Sequence, residues 1–168
     1  HTAVEEERTE GRVLTFSVGE KMFGIETNFL KQISASAPST SLPTPFKAIS
    51  QMIGFRGQPI PVLDLRVLLR ADAETSPQQV VAQFGGQVCA LWVDKVLQVK
   101  RLQALDRSTG VPKNEGDKQL SSLIGDVLWD AQTGPVALID GNRVEKLLQF
   151  LKTKIGANQL VPGKSKAA

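Results

Sequence analysis

Val80-Val81-Ala82-Gln83-Phe84-Gly85-Gly86-Gln87-Val88-Cys89-Ala90-Leu91-Trp92-Val93 decides the fold class. Two apolar runs flank a Gly-Gly pair. A two-residue turn at glycine suits a β-hairpin, because hairpin turns demand positive φ, which glycine adopts without steric cost. Working outward, the same grammar recurs. Residues 13–18 alternate, with Leu14, Phe16 and Val18 on one side, so they predict a half-buried strand. Gly19-Glu20-Lys21 turns it back into a second strand over 22–27. Residues 96–102 read as another strand, and 124–129 and 135–140 as a pair around Gln132-Thr133-Gly134. After a tight turn at Gly54-Phe55-Arg56-Gly57, residues 59–65 form a strand whose two prolines predict an edge or a bulge. Many short strands separated by turns predict an all-β barrel or sandwich.

Helical signals are fewer. Val144, Leu147, Leu148, Leu151 and Ile155 fall at i, i+3, i+4, i+7 and i+11, one apolar stripe of a C-terminal helix packed against the strands. Phe29, Leu30 and Ile33 have the spacing of a single helical turn, with Asn28 as N-cap, and 46–52 predict a short helix. Residues 34–45, 71–78 and 106–119 are polar and rich in turn formers, which predicts loops, the last of them mobile. Residues 1–11 predict a flexible acidic tail and 156–168 a disordered basic one.

The 168 residues suit one domain or two fused halves. The net charge of +3 is unevenly placed: residues 1–12 carry four acids and two bases, and 152–168 carry four lysines and no acid. The 14 bases and 13 acids of residues 13–151 nearly cancel, which makes a poor footprint for nucleic acid, so a small β-barrel nucleic-acid binder is the less favoured alternative. Aromatics are 5% with no tyrosine, too few for base stacking. No run approaches the ~18 apolar residues that span a bilayer. The acidic start lacks the apolar core of an export signal, and one cysteine excludes an internal disulfide, so a reducing, cytoplasmic setting is expected.

Chemistry finds little to stand on. With His1 the only histidine and Cys89 the only cysteine, a zinc site of N/S ligands and a Ser-His or Cys-His nucleophile are excluded in their usual forms. Cys89 lies mid-strand and reads as a small core residue. Asp64, Asp94, Asp126, Asp130 and Asp140 stand at strand ends, where aspartates tie down turn amides. A carboxylate hydrolase site among them stays an open alternative, without a motif to mark it. No glycine run has phosphate-loop spacing, and no cofactor or metal is expected.

Five blocks in order resemble the CheW family of chemotaxis coupling proteins. They are the hairpin from Leu14 to Ile25, the segment from Phe29 to Ile33 in place of "V-x-E-I", and Phe55-Arg56-Gly57-Gln58-Pro59-Ile60-Pro61-Val62-Leu63-Asp64-Leu65-Arg66, similar to "N-L-R-G-x-x-x-P-V-x-D-L-R". Trp92-Val93-Asp94-Lys95-Val96 resembles "V-D-x-V", and residues 135–148 the closing strand and "E-K-L-L" helix. The chain departs from these patterns at Gly54, Gln51 and Gln32, and in its Ser/Pro-rich 34–45.

The resemblance implies two intertwined five-stranded barrels of the Src-homology type with a short C-terminal helix. Residues 12–152 would form this domain, and 153–168 the helix end and basic tail. It implies a non-catalytic cytoplasmic adaptor, recruited to membrane receptor arrays, that couples the cytoplasmic hairpin tip of a chemoreceptor to the regulatory domain of the histidine kinase CheA. A CheW-like regulatory domain of a larger chemosensory or polar-localisation protein is the alternative. Nucleic acid and direct membrane insertion are not expected. By position, Leu30, Ile33 and Val99 would bind the receptor, with a core role equally open for Leu30 and favoured for Ile33. Phe55, Arg56 and Gly57 would bind the kinase, with Arg56 alternatively clamping its turn to the other barrel. Asp64 and Arg66 are expected to hold the strand end.

Overall fold

A computed structural model describes residues 11–44, 46–69, 76–101, 106–107 and 121–158. Residues 1–10 and 159–168 of the expected tails, most of the 71–78 loop and residues 108–119 lie outside these. In chain order the elements are β1 (Arg12–Val18), β2 (Lys21–Glu26), β3 (Leu30–Ala35), β4 (Thr40–Ser41), β5 (Gln51–Phe55), β6 (Gln58–Asp64) and α1 (Leu65–Leu68). There follow β7 (Gln78–Phe84), β8 (Gln87–Val93), β9 (Lys95–Arg101), β10 (Asp106–Arg107), β11 (Ile124–Asp130), β12 (Gly134–Ile139) and α2 (Gly141–Asn158).

The strands form two six-stranded sheets, ordered β10-β11-β12-β2-β1-β9 and β3-β7-β8-β6-β5-β4. In each sheet one member is only two residues long, which leaves five substantial strands, in keeping with the two five-stranded units expected. The two halves of the chain repeat one plan. Hairpin β1-β2 corresponds to β7-β8, β3 to β9, β4 to β10, β5-β6 to β11-β12, and α1 to α2. Each hairpin pairs with the other half's strands: β9 and β12 join β1-β2, while β3 and β6 join β7-β8. The joins β12 to β2 and β6 to β8 are both parallel. This reciprocal exchange is the intertwining that the family resemblance implied.

The core explains why the exchange holds. Phe16, Val18, Phe23 and Ile25 of the first hairpin and Val80, Phe84, Cys89 and Leu91 of the second belong to one buried cluster, joined by Val144, Leu148 and Leu151 of α2. Alternation put one face of each hairpin inward, and the two inward faces meet. Gly24 marks a close approach: a Cβ there would lie 2.4 Å from Val13 Cγ1 and 3.0 Å from Leu138 Cδ2, so β2 can approach β12 only without a side chain.

Four local expectations need correction. Residues 30–35 form edge strand β3, with a 3-10 turn only over Thr27–Phe29 and no side-chain hydrogen bond capping it. Apolar residues at i, i+1 and i+4 fit a helix, but the ladder to β7 supplies the backbone bonds a lone turn lacks. The helix expected over 46–52 is a 3-10 turn at Lys47–Ile49, and Gln51 already belongs to β5, paired with Val62. Strand β6 lies between β8 and β5, so it is not an edge. Its prolines are tolerated for a related reason. The two-residue hairpin closes on Phe55/Gln58, which places Pro59 and Pro61 at alternate, non-bonded positions facing away from β5, and β8 pairs β6 only from Val62 onward. Finally, α2 continues through Gly156 to Asn158.

Candidate protein-interaction site

Strands β3 and β9 each close one edge of a sheet, opposite the two-residue strands β4 and β10, and both are mostly exposed. Their registers make them equivalents. Leu30 stands opposite Ala82 and Val96 opposite Phe16, which hold the same place in the two hairpins; Ile33 opposite Val80 and Val99 opposite Leu14 do likewise. The inner member of each pair, Leu30 or Val96, packs partly buried on the main core. The outer members project: Ile33 is 47% exposed and Val99 51% exposed. Ile33 is therefore not a core residue, and Leu30 is half of one.

Both outer strands are irregular at the same place. The β3 ladder shifts register between Leu30 and Gln32, and the β9 ladder opposite Leu14 and Phe16. In the second case the buried Thr15 hydroxyl fills the gap, donating to the Gln98 carbonyl at 2.9 Å and accepting from the Gln98 N–H at 3.3 Å. Such bulges blunt an edge against another strand while re-aiming side chains outward. Gln78 links the two edges: its backbone pairs with Ala35 of β3, and its side-chain oxygen accepts from the Val96 N–H at 2.5 Å. Leu97, 40% exposed, belongs to this apolar set and was missed. The apolar run Val96-Leu97 in a strand otherwise polar was its signal.

Phe55, Arg56 and Gly57 stand apart from these strands, at the β5-β6 turn. Arg56 has φ 50 and Gly57 φ 78, the two positive values of a type I′ turn. Arginine in that conformation carries about 1–2 kcal/mol of strain, and such strain concentrates at working positions. The Arg56 guanidinium lies 4.9 Å over the Phe55 ring. Among the described residues no carboxylate comes within ion-pair range of it, so the turn is not clamped to the other half through a charge pair. Asp64 and Arg66 behave as expected. Asp64 caps α1, accepting from the Arg66 N–H at 3.0 Å, and takes the Arg66 guanidinium at 3.0 and 3.1 Å. Asp140, its counterpart, accepts from the Arg143 N–H at 3.1 Å at the start of α2.

A cleft of about 340 Å³ opens beside the start of α2, lined by Glu26, Asp126, Asp140, Glu145 and Phe29 among others. Among the described residues no group of acids, cysteine or histidine is placed to hold a metal ion. Cys89 is fully buried in the shared core, and burial pushes its thiol up to about 12. Thiolate is the reactive form, so iodoacetamide at pH 8 is expected to leave Cys89 unmodified in the folded protein and to label it fully in denaturant. Rapid labelling without denaturant, followed by mass spectrometry, would show that the core opens.

Known proteins share this arrangement. The family model described as "CheW-like domain" matches residues 12–141. Protein FrzA of Myxococcus xanthus is 28% identical over 150 residues, covering 88% of this chain and 91% of its own. The crystal structure of the scaffolding protein TtCheW from Thermoanaerobacter tengcongensis superposes with a TM-score of 0.64 at 18% identity, over 78% of this chain and 89% of that one. No described helix is long and apolar enough to cross a membrane.

Proposed function

The chain belongs to the CheW-like domain family of non-catalytic chemotaxis scaffolds, and from that premise we propose that it is an adaptor coupling a chemoreceptor's helical hairpin tip to the regulatory domain of the histidine kinase CheA, in the cytoplasm beneath a receptor array. The observation that carries this reading is the matched pair of projecting apolar residues, Ile33 and Val99, on the two outer strands. A helix docking on a surface gains affinity from a few such anchors, and Leu97 is a further exposed apolar residue of these strands. The receptor takes this face. The strained turn Phe55-Arg56-Gly57 serves the kinase, with an arginine already stacked and held outward on its ring.

A two-dimensional NMR titration of the labelled chain tests both assignments. Receptor-tip hairpin is expected to shift amides of residues 30–35 and 95–101, and the kinase regulatory domain those around 54–58. Arg56→Glu is expected to weaken the kinase complex about tenfold, the loss of one interface anchor, while leaving the melting temperature unchanged. Saturating additions that shift neither region would remove the adaptor reading for these partners.

A further inference from the structure

We propose that the outward stripe of α2, formed by Lys146, Phe150 and Lys154, is a docking surface for an acidic amphipathic helix of a partner protein. It is separate from the strand face and the 55–57 turn, so it stands whether or not those bind as argued. Val144, Leu148 and Leu151 turn one side of α2 into the core. Lys146, Phe150 and Lys154 follow at i, i+4 and i+8 along an exposed flank of the helix, spanning about 12 Å.

Phe150 is 49% exposed yet held in place. Its ring stands edge-on to Phe46 at 6.5 Å, and the Lys154 ammonium lies 5.6 Å from its centre. Neither Lys146 nor Lys154 has a carboxylate in ion-pair range among the described residues. The acid of this helix, Glu145, is turned away to accept from the Gly86 N–H at 3.0 Å. Along α2 the bases Arg143, Lys146, Lys152 and Lys154 face one acid, so the positive charge is a feature of this helix.

A fixed aromatic between two lysines is complemented by an apolar side chain between two carboxylates, which a helix presents at the same four-residue spacing. The repeat plan sharpens the point. The counterpart helix α1 is one turn long, so most of α2, stripe included, is an addition to what the two halves share. A membrane surface fits less well, because the apolar face of α2 is already spent on the core and a single phenylalanine remains to insert. Nucleic acid fits less well still, with one ring and no basic groove.

The test uses the full labelled chain and a synthetic helical peptide bearing Glu at i and i+8 around a central Leu at i+4. Phosphatidylserine vesicles and a single-stranded oligonucleotide serve as competing probes. The peptide is expected to shift Lys146, Phe150 and Lys154. Affinity should fall about tenfold or more in Lys146→Glu/Lys154→Glu and in Phe150→Ala. It should not change in Lys152→Glu, the same charge change on another face of α2. If Phe150→Ala melts early, the charge-reversal pair decides alone. Equal weakening by Lys152→Glu, no peptide binding, or vesicle or oligonucleotide binding through the stripe in place of the peptide would each overturn the proposal.

Discussion

Phe16→Ala is expected to lower the unfolding free energy by about 3–5 kcal/mol, the cost of emptying a large side chain's place in a core that cannot collapse around the gap. Phe16 is 0% exposed and stacks on Phe23 at 5.9 Å. The more telling outcome concerns how the loss is distributed. Phe16 sits on β1, in the first sheet, but its cluster includes Val80, Phe84 and Leu91 of the second. Trp129 belongs to the first sheet and Trp92 to the second, so each reports on one sheet. Denaturant unfolding of single-tryptophan variants should show both transitions moving to the same lower midpoint. If only the Trp129 transition moved, the two sheets would have separate cores and the shared cluster would be energetically empty.

Ile33→Asp combined with Val99→Asp should nearly abolish binding of a receptor hairpin, with a loss of about 3 kcal/mol or more, roughly a hundredfold in affinity. Stability should change little, within about 1 kcal/mol, because both side chains are already half in water. The equivalence of the two positions adds a finer expectation: each single change should weaken binding by a comparable factor. Leu30→Asp provides the contrast. Leu30 packs on the main core, so a carboxylate there should cost stability as well as binding. Isothermal titration and a thermal melt on the same four proteins separate these cases. Undiminished binding by the double variant would move the receptor elsewhere on the molecule.

How much of this was legible in the sequence depends on which forces shaped each stretch. The central hairpins were plain, because each turns an alternating apolar face, Leu14, Phe16 and Val18 in the first, into the shared core, although Val13 and Thr15 of its other face are buried as well. The α2 stripe was plain for the same reason, apart from Ile155, whose side chain lies outside the described residues. Strand β3 was not, because an outer strand with four of six residues exposed has no buried face to impose a period, and Phe29, Leu30 and Ile33 fit a helix as well. The short helix expected over 46–52 stops after one 3-10 turn, where Ala48 and Ile49 are buried, because from Gln51 the backbone pairs with β6 in the adjoining hairpin. The repeat of the two halves was invisible to spacing, since it resides in pairings rather than in residue identity. Thr15 and Val81 hold the same place, as do Phe16 and Ala82. Of the site, the family blocks located Leu30, Ile33, Val99 and the 55–57 turn. That Ile33 and Val99 are one position seen twice, and that Leu97 joins them, required the registers.

The exchanged strands also bear on how the protein is made. Synthesis delivers the chain from its N-terminus at about 5–20 residues per second. Strands β3 and β6 emerge early but have their partners in β7 and β8, so the second sheet cannot close until Val93 has left the ribosome. The first sheet must wait longer still, for β12 at Ile139. The second sheet has all its strands once Val93 is made, but the hairpin β1-β2, synthesised first, waits for β12, and until then the apolar faces that meet in the shared core stay without their full cover.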